Sequence, residues 1–341
     1  MKVLLHGPHK ADYIYTGFSK LLGERSVVSY LHPSFLIPHP ELRGKYDIDS
    51  TDGILEDLDR FDLIAFSQRA FLDPNFNQIL NANTSATKIF VDGEDDFFLR
   101  NVYKHKEIKF YFKRELYRGI SQSMALEWGV RYFYGAYLFM TLHNKLSFSR
   151  SLQWLSLPYA VAVKNKSLPK LLPFPLAIEP TEVRGPSKRD LNLFFCMSVH
   201  KRLAERHRYY DYLNKAAYEN DRINIEIRNG GLKRSEYLKR LMSSKASISL
   251  RGMGFDCDRY WEIPCYGAML MSQRLPLLIP HDFVDGESAV FFDTPEELMQ
   301  KLEKYVVGSD EWKSIAREGQ RLFFKYHTPE KRVKDLILKY L

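Results

Sequence analysis

One segment of the chain, 251–271, combines residue types that suit a phosphate-and-ribose site. It reads RGMGFDCDRYWEIPCYGAMLM and follows a strand-like run. Its Gly-x-Gly turn lets a backbone come close to a ligand. Arg251 and Arg259 offer planar forks of donors that pair with phosphate, and the Glu262 carboxylate can hold the hydroxyls of a ribose. The segment predicts a nucleotide-diphosphate site at the mouth of an α/β sheet.

Two series of apolar strands, each alternating with helices, must position this segment. In the first half we expect strands at 3–5, 27–31, 62–66, 88–92 and 108–112, and in the second half at 191–197, 223–227, 246–250, 268–271 and 289–292. Strands that alternate with helices favour parallel sheets covered on both faces. The proline-rich stretch 168–186 is expected to link the halves. We therefore predict domains at 1–180 and 181–325, and a C-terminal helix at 326–341.

The special loops of the second domain all follow strands of its sheet. Residues 198–202 follow the first strand, 229–231 the second and 251–254 the third, and Glu262 lies one short helix later. Ligands of such sheets bind at the carboxyl ends of the strands. The pattern Gly252-x-Gly254 is not the dinucleotide fingerprint G-x-G-x-x-G, which argues against a nicotinamide dehydrogenase.

The second half also resembles a known family. The matching runs are DRYWEIPCYGAMLM at 258–271, FVDGE at 283–287, FDTPEEL at 292–298, IAREG at 315–319 and YHTPEKR at 326–332. In this order they look like the C-terminal half of group 1 glycosyltransferases of the spore-maturation-protein type. In the first half, YFKREL at 111–116 and LPFP at 172–175 also look like the family's.

The resemblance implies the GT-B fold: α/β, with two Rossmann-like domains facing across a cleft and C-terminal helices packing back toward the first domain. It implies a nucleotide-sugar donor in the second domain, an acceptor in the first, and no metal or other cofactor. Glu262 matches the glutamate that binds the donor ribose. Gly254 stands where many relatives carry a second glutamate, which leaves a retaining or an inverting outcome open. Arg206 or Arg208 looks like the phosphate-facing arginine.

The candidate donor-binding residues lie in the loops and helix starts at this sheet edge, and a surface salt bridge is the alternative for each arginine. They are Arg206, Arg208, Asn229, Gly230, Arg251, Gly252, Gly254, Asp258, Arg259, Tyr260 and Glu262. Three Asp-x-Asp pairs, at 47–49, 57–59 and 256–258, have a spacing that arises by chance in a chain with 42 acidic residues. We therefore expect no metal site.

The candidate catalytic residues lie in the first domain. His6 follows the first strand and can act as a base or orient the substrate, although a structural role is the alternative. Asp92 and Glu94 belong to the acidic run 92–96 after another strand. Repulsion within that run raises a carboxyl pKa, which suits a base near neutral pH. The alternative is a loop with helix-capping carboxylates.

The charge of the chain indicates an anionic partner. The net charge is +8, and residues 101–170, an aromatic and helical-looking segment, hold 12 Lys/Arg against 3 Asp/Glu. This basic segment favours a glycan or lipid-linked acceptor, peripheral contact with a membrane, or DNA, and a solvated basic face is the alternative. No apolar run approaches the about 18 residues of a membrane-spanning helix. Three cysteines without a C-x-x-C motif are typical of the cytoplasm.

We therefore predict a glycosyltransferase that moves a sugar from a nucleotide diphosphate to a hydroxyl acceptor, such as a glycan, a lipid-linked acceptor or a surface glycoconjugate. Two alternatives stay open. The enzyme can glycosylate modified bases in DNA through its basic segment. The chain can instead be a non-catalytic protein that binds nucleotide sugars, because Gly254 breaks the paired-glutamate pattern.

Overall fold

The computed structural model describes residues 1–8, 12–38, 40–42, 44–46, 51–93, 105–116, 170–182, 188–199, 203–220, 222–252 and 254–341. Its contacts divide the chain into two compact units, Met1–Phe174 and Pro175–Tyr340. The division falls a few residues before the boundary expected at 180. The second unit also contains residues 326–340, which the sequence analysis set apart as a C-terminal helix.

The first unit is built on a six-stranded parallel sheet. Its strands are β1 (Val3–His6), β2 (Val27–Tyr30), β3 (Leu63–Ser67), β4 (Thr87–Asp92), β5 (Phe110–Lys113) and β6 (Lys170–Pro173), in the order β2-β1-β3-β4-β5-β6. The described helices are α1 (Tyr13–Leu22), α2 (Pro33–Leu36), α3 (Thr51–Glu56) and α4 (Phe76–Asn81). Strands β1, β3 and β5 are buried at every residue. Such strands are typical of a parallel sheet covered on both faces, which confirms the predicted α/β class.

Strand β6 corrects the sequence analysis, which closed the first series at 112 and assigned this region to the linker. Lys170–Pro173 pairs in parallel with β5, in a register that sets Lys113 opposite Pro173. The Phe174 N–H then donates to the Lys113 carbonyl over 2.9 Å. Proline fits here because β6 is an edge strand, where a missing N–H costs no ladder hydrogen bond. The first residues of the predicted linker therefore belong to the sheet, and the division between the two units at Phe174 and Pro175 still falls within 168–186.

The second unit repeats the architecture with five parallel strands. They are β7 (Leu191–Cys196), β8 (Ile225–Arg228), β9 (Ser244–Ser249), β10 (Met269–Ser272) and β11 (Val290–Phe291), in the order β11-β10-β9-β7-β8. Helices α5 (Ala204–Glu219), α6 (Arg234–Ser243) and α7 (Asp258–Cys265) follow β7, β8 and β9. Each predicted strand of this domain is present, which confirms the second α/β domain. Helix α5 buries Tyr209 and Leu213 against the sheet core.

Three helices close the second unit: α8 (Pro295–Leu302), α9 (Glu311–Leu322) and α10 (Pro329–Arg332). The predicted cap of α8 is present, since the Thr294 hydroxyl accepts from the Glu297 N–H over 3.1 Å. Each helix continues into a π-helical turn, at Glu303–Val307, Phe323–His327 and Val333–Ile337. Within the described residues, no helix combines the length and apolar character that a membrane crossing requires.

Candidate functional site

The strand order of the second sheet reverses between β7 and β9. The chain runs from β7 outward to β8 and then returns to form β9 on the other side of β7. The loops after β7 and β9 therefore leave the carboxyl edge in opposite directions and open a crevice, the usual ligand site of such sheets. We call this edge the reversal point. Most of the predicted donor-binding residues lie in the loops and helices around it.

Arg206 is a buried cation at the reversal point. From α5 its guanidinium donates to the Ser198 carbonyl after β7 over 3.1 Å, and to the Leu250 and Arg251 carbonyls after β9 over 3.2 and 2.8 Å. Burial, and next the charge of Arg259, lower the pKa of Arg206 to about 10. The group therefore stays protonated at neutral pH. In the described ranges its partners are these carbonyl oxygens and the Cys257 sulfur at 4.0 Å, so the charge is held in place and no described carboxylate neutralises it.

Gly252 lies against this cation. A Cβ atom at this position would stand 3.1 Å from the Arg206 Nη2 atom and 3.2 Å from the Cys257 sulfur. Its N–H donates to the Gly254 carbonyl over 2.9 Å, which closes the turn. The sequence analysis assigned these glycines to the approach of a ligand. In the structure, Gly252 first makes room for the guanidinium beneath the loop.

Arg259 supplies a second positive charge near the reversal point. It lies in the first turn of α7, and its Nε atom is buried without a hydrogen-bond partner in the part of the chain that the structure describes. Its charge lowers the pKa of Arg206 and counters the rise that burial gives the pKa of Cys257. The chain brings Arg259 near Arg206, because Cys257, two residues earlier, has its sulfur 4.0 Å from the Arg206 Nη2 atom. Within the described residues neither guanidinium has a carboxylate partner, and two such groups have the charge that suits an anion.

Glu262 is held by two residues that the sequence analysis missed. Its side chain is 7% exposed. The Arg234 guanidinium donates to one carboxylate oxygen, and the Tyr237 hydroxyl donates to the other over 2.9 Å. Burial, and next the Glu262 charge, raise the pKa of Tyr237 well above its usual value. The carboxylate is thus fixed in orientation, while its second lone pairs remain as acceptors. The only sequence signal was an Arg-x-x-Tyr pattern at the start of α6.

A second polar group lies on the other side of Arg206. The Glu205 carboxylate accepts from the Arg251 Nε atom over 3.1 Å and from the Gln273 amide over 2.7 Å. Arg251 was among the predicted donor-binding residues, whereas Glu205 and Gln273 were not. Gln273 directly follows β10, and only the pairing of β10 with β9 brings it to this edge.

Asn229 and Gly230 close the edge next to β8. The Asn229 side-chain oxygen accepts from the Val199 N–H over 2.8 Å and so ties the loop after β8 to the loop after β7. Gly230 has a φ of 63°, a conformation that L side chains rarely adopt. These two residues shape the edge of the crevice.

The structure does not bring Arg208 or Tyr260 to this group. Arg208 is two residues beyond Arg206 and therefore points about 200° around α5. It is 60% exposed and pairs with Glu296 over 3.6 Å. Tyr260 is buried and donates to Asp282 over 2.7 Å. Of the two arginines left open by the resemblance, Arg206 is the one at the reversal point.

Asp256 and Asp258, the two aspartates of the segment 251–271, have different surroundings. Asp258 begins α7 and is exposed. Asp256 is buried and accepts from the Trp261 indole over 2.6 Å and from the Leu176 N–H over 2.5 Å. Across the described ranges, no group of three His, Cys, Asp or Glu side chains could hold a metal ion. The pair at 47–49 lies outside these ranges, so a metal-independent site stays a prediction.

The predicted catalytic residues of the first unit are buried or lie outside the described residues. His6 is fully buried, and its Nε2 atom is 3.0 Å from an Asp73 carboxylate oxygen. Asp92 is fully buried as well, 3.2 Å from the Lys113 ammonium, and accepts from the Tyr111 hydroxyl over 2.5 Å. The structure thus gives both side chains a partner of their own. Glu94 lies outside the described residues, as do 117–169 of the basic segment.

Comparison with known proteins gives a family match for the second unit. The family model described as glycosyl transferase-like matches residues 196–337, which include every donor-site residue discussed above. No curated protein matches the sequence.

Solved structures give a likeness of fold. HepE from Anabaena, in complex with UDP-glucose, is 11% identical, with a TM-score of 0.51 and 100% of both chains covered. A glycosyltransferase from Rickettsia africae is 12% identical, with a TM-score of 0.50 over 98% of this chain and 96% of that one. TarM is 10% identical with a TM-score of 0.45 over 80% of this chain, which spans only 53% of TarM. The likeness to the first two shows that the chain has the two-unit α/β fold of the GT-B class.

Proposed function

We propose that this chain, whose residues 196–337 belong to the glycosyl transferase-like family, transfers a sugar from a nucleoside diphosphate sugar to a hydroxyl acceptor. One observation carries the proposal: among the described residues, Arg206 at the reversal point and Arg259 in the first turn of α7 have no carboxylate partner, and Glu262 lies one turn along α7 from Arg259. A diphosphate supplies the missing negative charge. A ribose supplies hydroxyls that donate to the remaining lone pairs of Glu262.

These charges suit the chemistry of sugar transfer. The bond between the anomeric carbon and the diphosphate oxygen breaks, a bond to the acceptor oxygen forms, and the acceptor proton passes to a base. The leaving diphosphate gains negative charge as its bond breaks. Fixed positive charge in a partly buried site stabilises this developing charge more than water does, because the site need not reorganise. We assign that role to Arg259 and, through its buried charge, to Arg206.

The donor site is tested by binding UDP-glucose, the ligand found in the HepE structure, and by replacing Glu262. We expect calorimetric binding to the wild-type chain and a loss of about tenfold or more in Glu262→Gln, because the ribose hydroxyls lose a charged acceptor. Glutamine still accepts from Tyr237, so the fold is kept. Glu236→Gln is the matched control, since Glu236 is an exposed residue of α6. Equal affinity in wild type and Glu262→Gln would refute the assignment of Glu262.

Transfer itself is tested by release of UDP from UDP-glucose, with and without simple glycoside acceptors. Turnover that depends on Arg259 supports an enzyme. Tight UDP-glucose binding with neither hydrolysis nor transfer would instead support the non-catalytic alternative. His6, Asp92 and Glu94 stay predictions for the base, and Glu94→Gln is the most direct test because His6 and Asp92 are already paired.

We further propose that the acceptor or its carrier is anionic and binds the basic segment 101–170, which carries a surplus of nine positive charges, 12 minus 3. Vesicles with anionic lipids test a lipid-linked acceptor and peripheral membrane contact. A gel shift with double-stranded DNA at low salt tests the DNA alternative, where binding should fall steeply as salt rises. All three cysteines are unpaired, which supports our proposal of a cytoplasmic location.

A further inference from the structure

The polar groups at the reversal point follow one another in a fixed order. Tyr237 and Glu262 lie at one end, next to α6. Arg259 lies one turn before Glu262 on α7. Cys257, two residues before Arg259, has its sulfur 4.0 Å from the Arg206 Nη2 atom. Arg206 donates to the Arg251 carbonyl. The series therefore begins with the Glu262 carboxylate, continues with the cations Arg259 and Arg206, and ends with the polar group next to Arg206.

The far end of this series is the group formed by Glu205, Arg251 and Gln273. Glu205 is 34% exposed and Arg251 is 29% exposed, so both side chains are accessible to a ligand. Each Glu205 oxygen already accepts one hydrogen bond, from Arg251 or from Gln273, and keeps a second lone pair. The two contacts fix the carboxylate on both sides. A fixed carboxylate next to a guanidinium binds neighbouring hydroxyls well, because it accepts from them while the guanidinium donates to their oxygens.

We propose that Glu205, positioned by Gln273 and Arg251, binds the hydroxyls of the donor sugar and determines sugar specificity. This inference rests on the proposed function, in which Glu262 binds the nucleoside and Arg259 and Arg206 bind the diphosphate. The sugar is the next part of the donor, and Glu205 is the next polar group of the series.

The charge of the group indicates which class of sugar it takes. Arg251 and Glu205 form a pair with no net charge. A neutral hexose meets both an acceptor and donors in this pair. A sugar acid would bring a second carboxylate next to Glu205, and like charges at short distance repel. The group therefore suits a neutral sugar with adjacent free hydroxyls better than a sugar acid.

The test compares UDP with UDP-glucose by calorimetry on the full chain, because only UDP-glucose reaches Glu205. We expect Glu205→Ala to raise the Kd for UDP-glucose about tenfold or more, the usual loss for a hydrogen bond to a charged group. The Kd for UDP should change by no more than about twofold. Glu205→Gln keeps the size of the side chain and one acceptor oxygen, and should fall between wild type and Glu205→Ala. Glu219→Gln is the control, an exposed glutamate at the end of α5.

Two results would overturn the inference alone. An equal loss for UDP and UDP-glucose would mean that Glu205 only holds Arg251 for the diphosphate. No loss for either would mean that Glu205 has no contact with the donor. If the wild-type chain binds neither UDP nor UDP-glucose, nor GDP and GDP-mannose as a second pair, the proposed function fails and the inference fails with it.

Discussion

Replacing Arg259 with glutamine should separate ligand binding from stability. The Nε atom of Arg259 is buried and donates to no described residue. The substitution therefore leaves no partner unsatisfied, and such a change is nearly neutral for folding. It also removes a positive charge that lowers the pKa of Arg206. We expect the free energy of unfolding to stay within about 1 kcal/mol of the wild-type value. If it changes, it should rise, because the substitution removes repulsion between two positive charges.

The same substitution should weaken donor binding strongly. A hydrogen bond between a guanidinium and a phosphate is worth about 1.5–3 kcal/mol, which corresponds to about 10- to 150-fold in Kd. Arg206 cannot compensate, because its guanidinium is already bonded to the carbonyls of Ser198, Leu250 and Arg251. The loss should appear with UDP as well as with UDP-glucose, since the diphosphate is common to both.

Calorimetry at low and moderate salt measures the affinity, and urea unfolding of the same samples measures the stability. Arg208→Gln is the matched control, because it removes the same charge from an exposed position facing Glu296. Unchanged UDP affinity in Arg259→Gln would refute the placement of the diphosphate. A large loss of stability would show that Arg259 is a structural residue.

Three further predictions concern the surroundings of this site and the core. Arg206→Lys should lower the free energy of unfolding by about 2–4 kcal/mol in urea. One ammonium group cannot reach carbonyls on both loops and leaves buried acceptors unpaired. A wild-type stability would show that these hydrogen bonds do not hold the loops together. Gly252→Ala should cost about 1–2 kcal/mol and also weaken UDP binding, since its Cβ meets Arg206 and Cys257 at 3.1 and 3.2 Å; unchanged melting and binding would contradict the close packing. Burial, and next the charge of Arg332, hold the pKa of His327 well below its usual value, so the folded chain binds fewer protons there than the unfolded chain. The free energy of unfolding should therefore fall as pH drops below about 6.5, by up to about 1.4 kcal/mol per pH unit. His327→Gln can still donate to the His281 carbonyl. This variant should show a smaller pH dependence in melting curves between pH 5 and 7.5.

Most of the secondary structure could be predicted because strands buried on both faces are rich in apolar residues, as β1 and β3 are. β1, β3, β7 and β9 all lie within one or two residues of their expected bounds. The exception was β6, whose proline is tolerated only at an edge. Whether a strand lies at an edge depends on which strands pair, and local sequence does not contain that information.

The candidate site was predictable in its location but not in its partners. Once the strands are known to be parallel, their following loops must share one edge, so the sequence alone brought Arg251, Gly252 and Glu262 together. The sequence could not choose Arg206 over Arg208, because that choice depends on which face of α5 packs on the sheet. It also missed Arg234, which reaches Glu262 from a different helix.

By itself, therefore, the sequence determined a duplicated parallel α/β fold, and it predicted a phosphate-and-ribose site at the carboxyl edge of the second sheet with the residue types for that site. Periodicity and loop position are local properties, and they suffice for these conclusions. Only the tertiary structure decided which charges stay unpaired. Arg259 and Arg206 have no carboxylate partner in the part of the chain that the structure describes, while Glu205 and Glu262 are each held by two donors. Such pairing depends on distances between side chains far apart in the chain, and those distances exist only after the strands have packed.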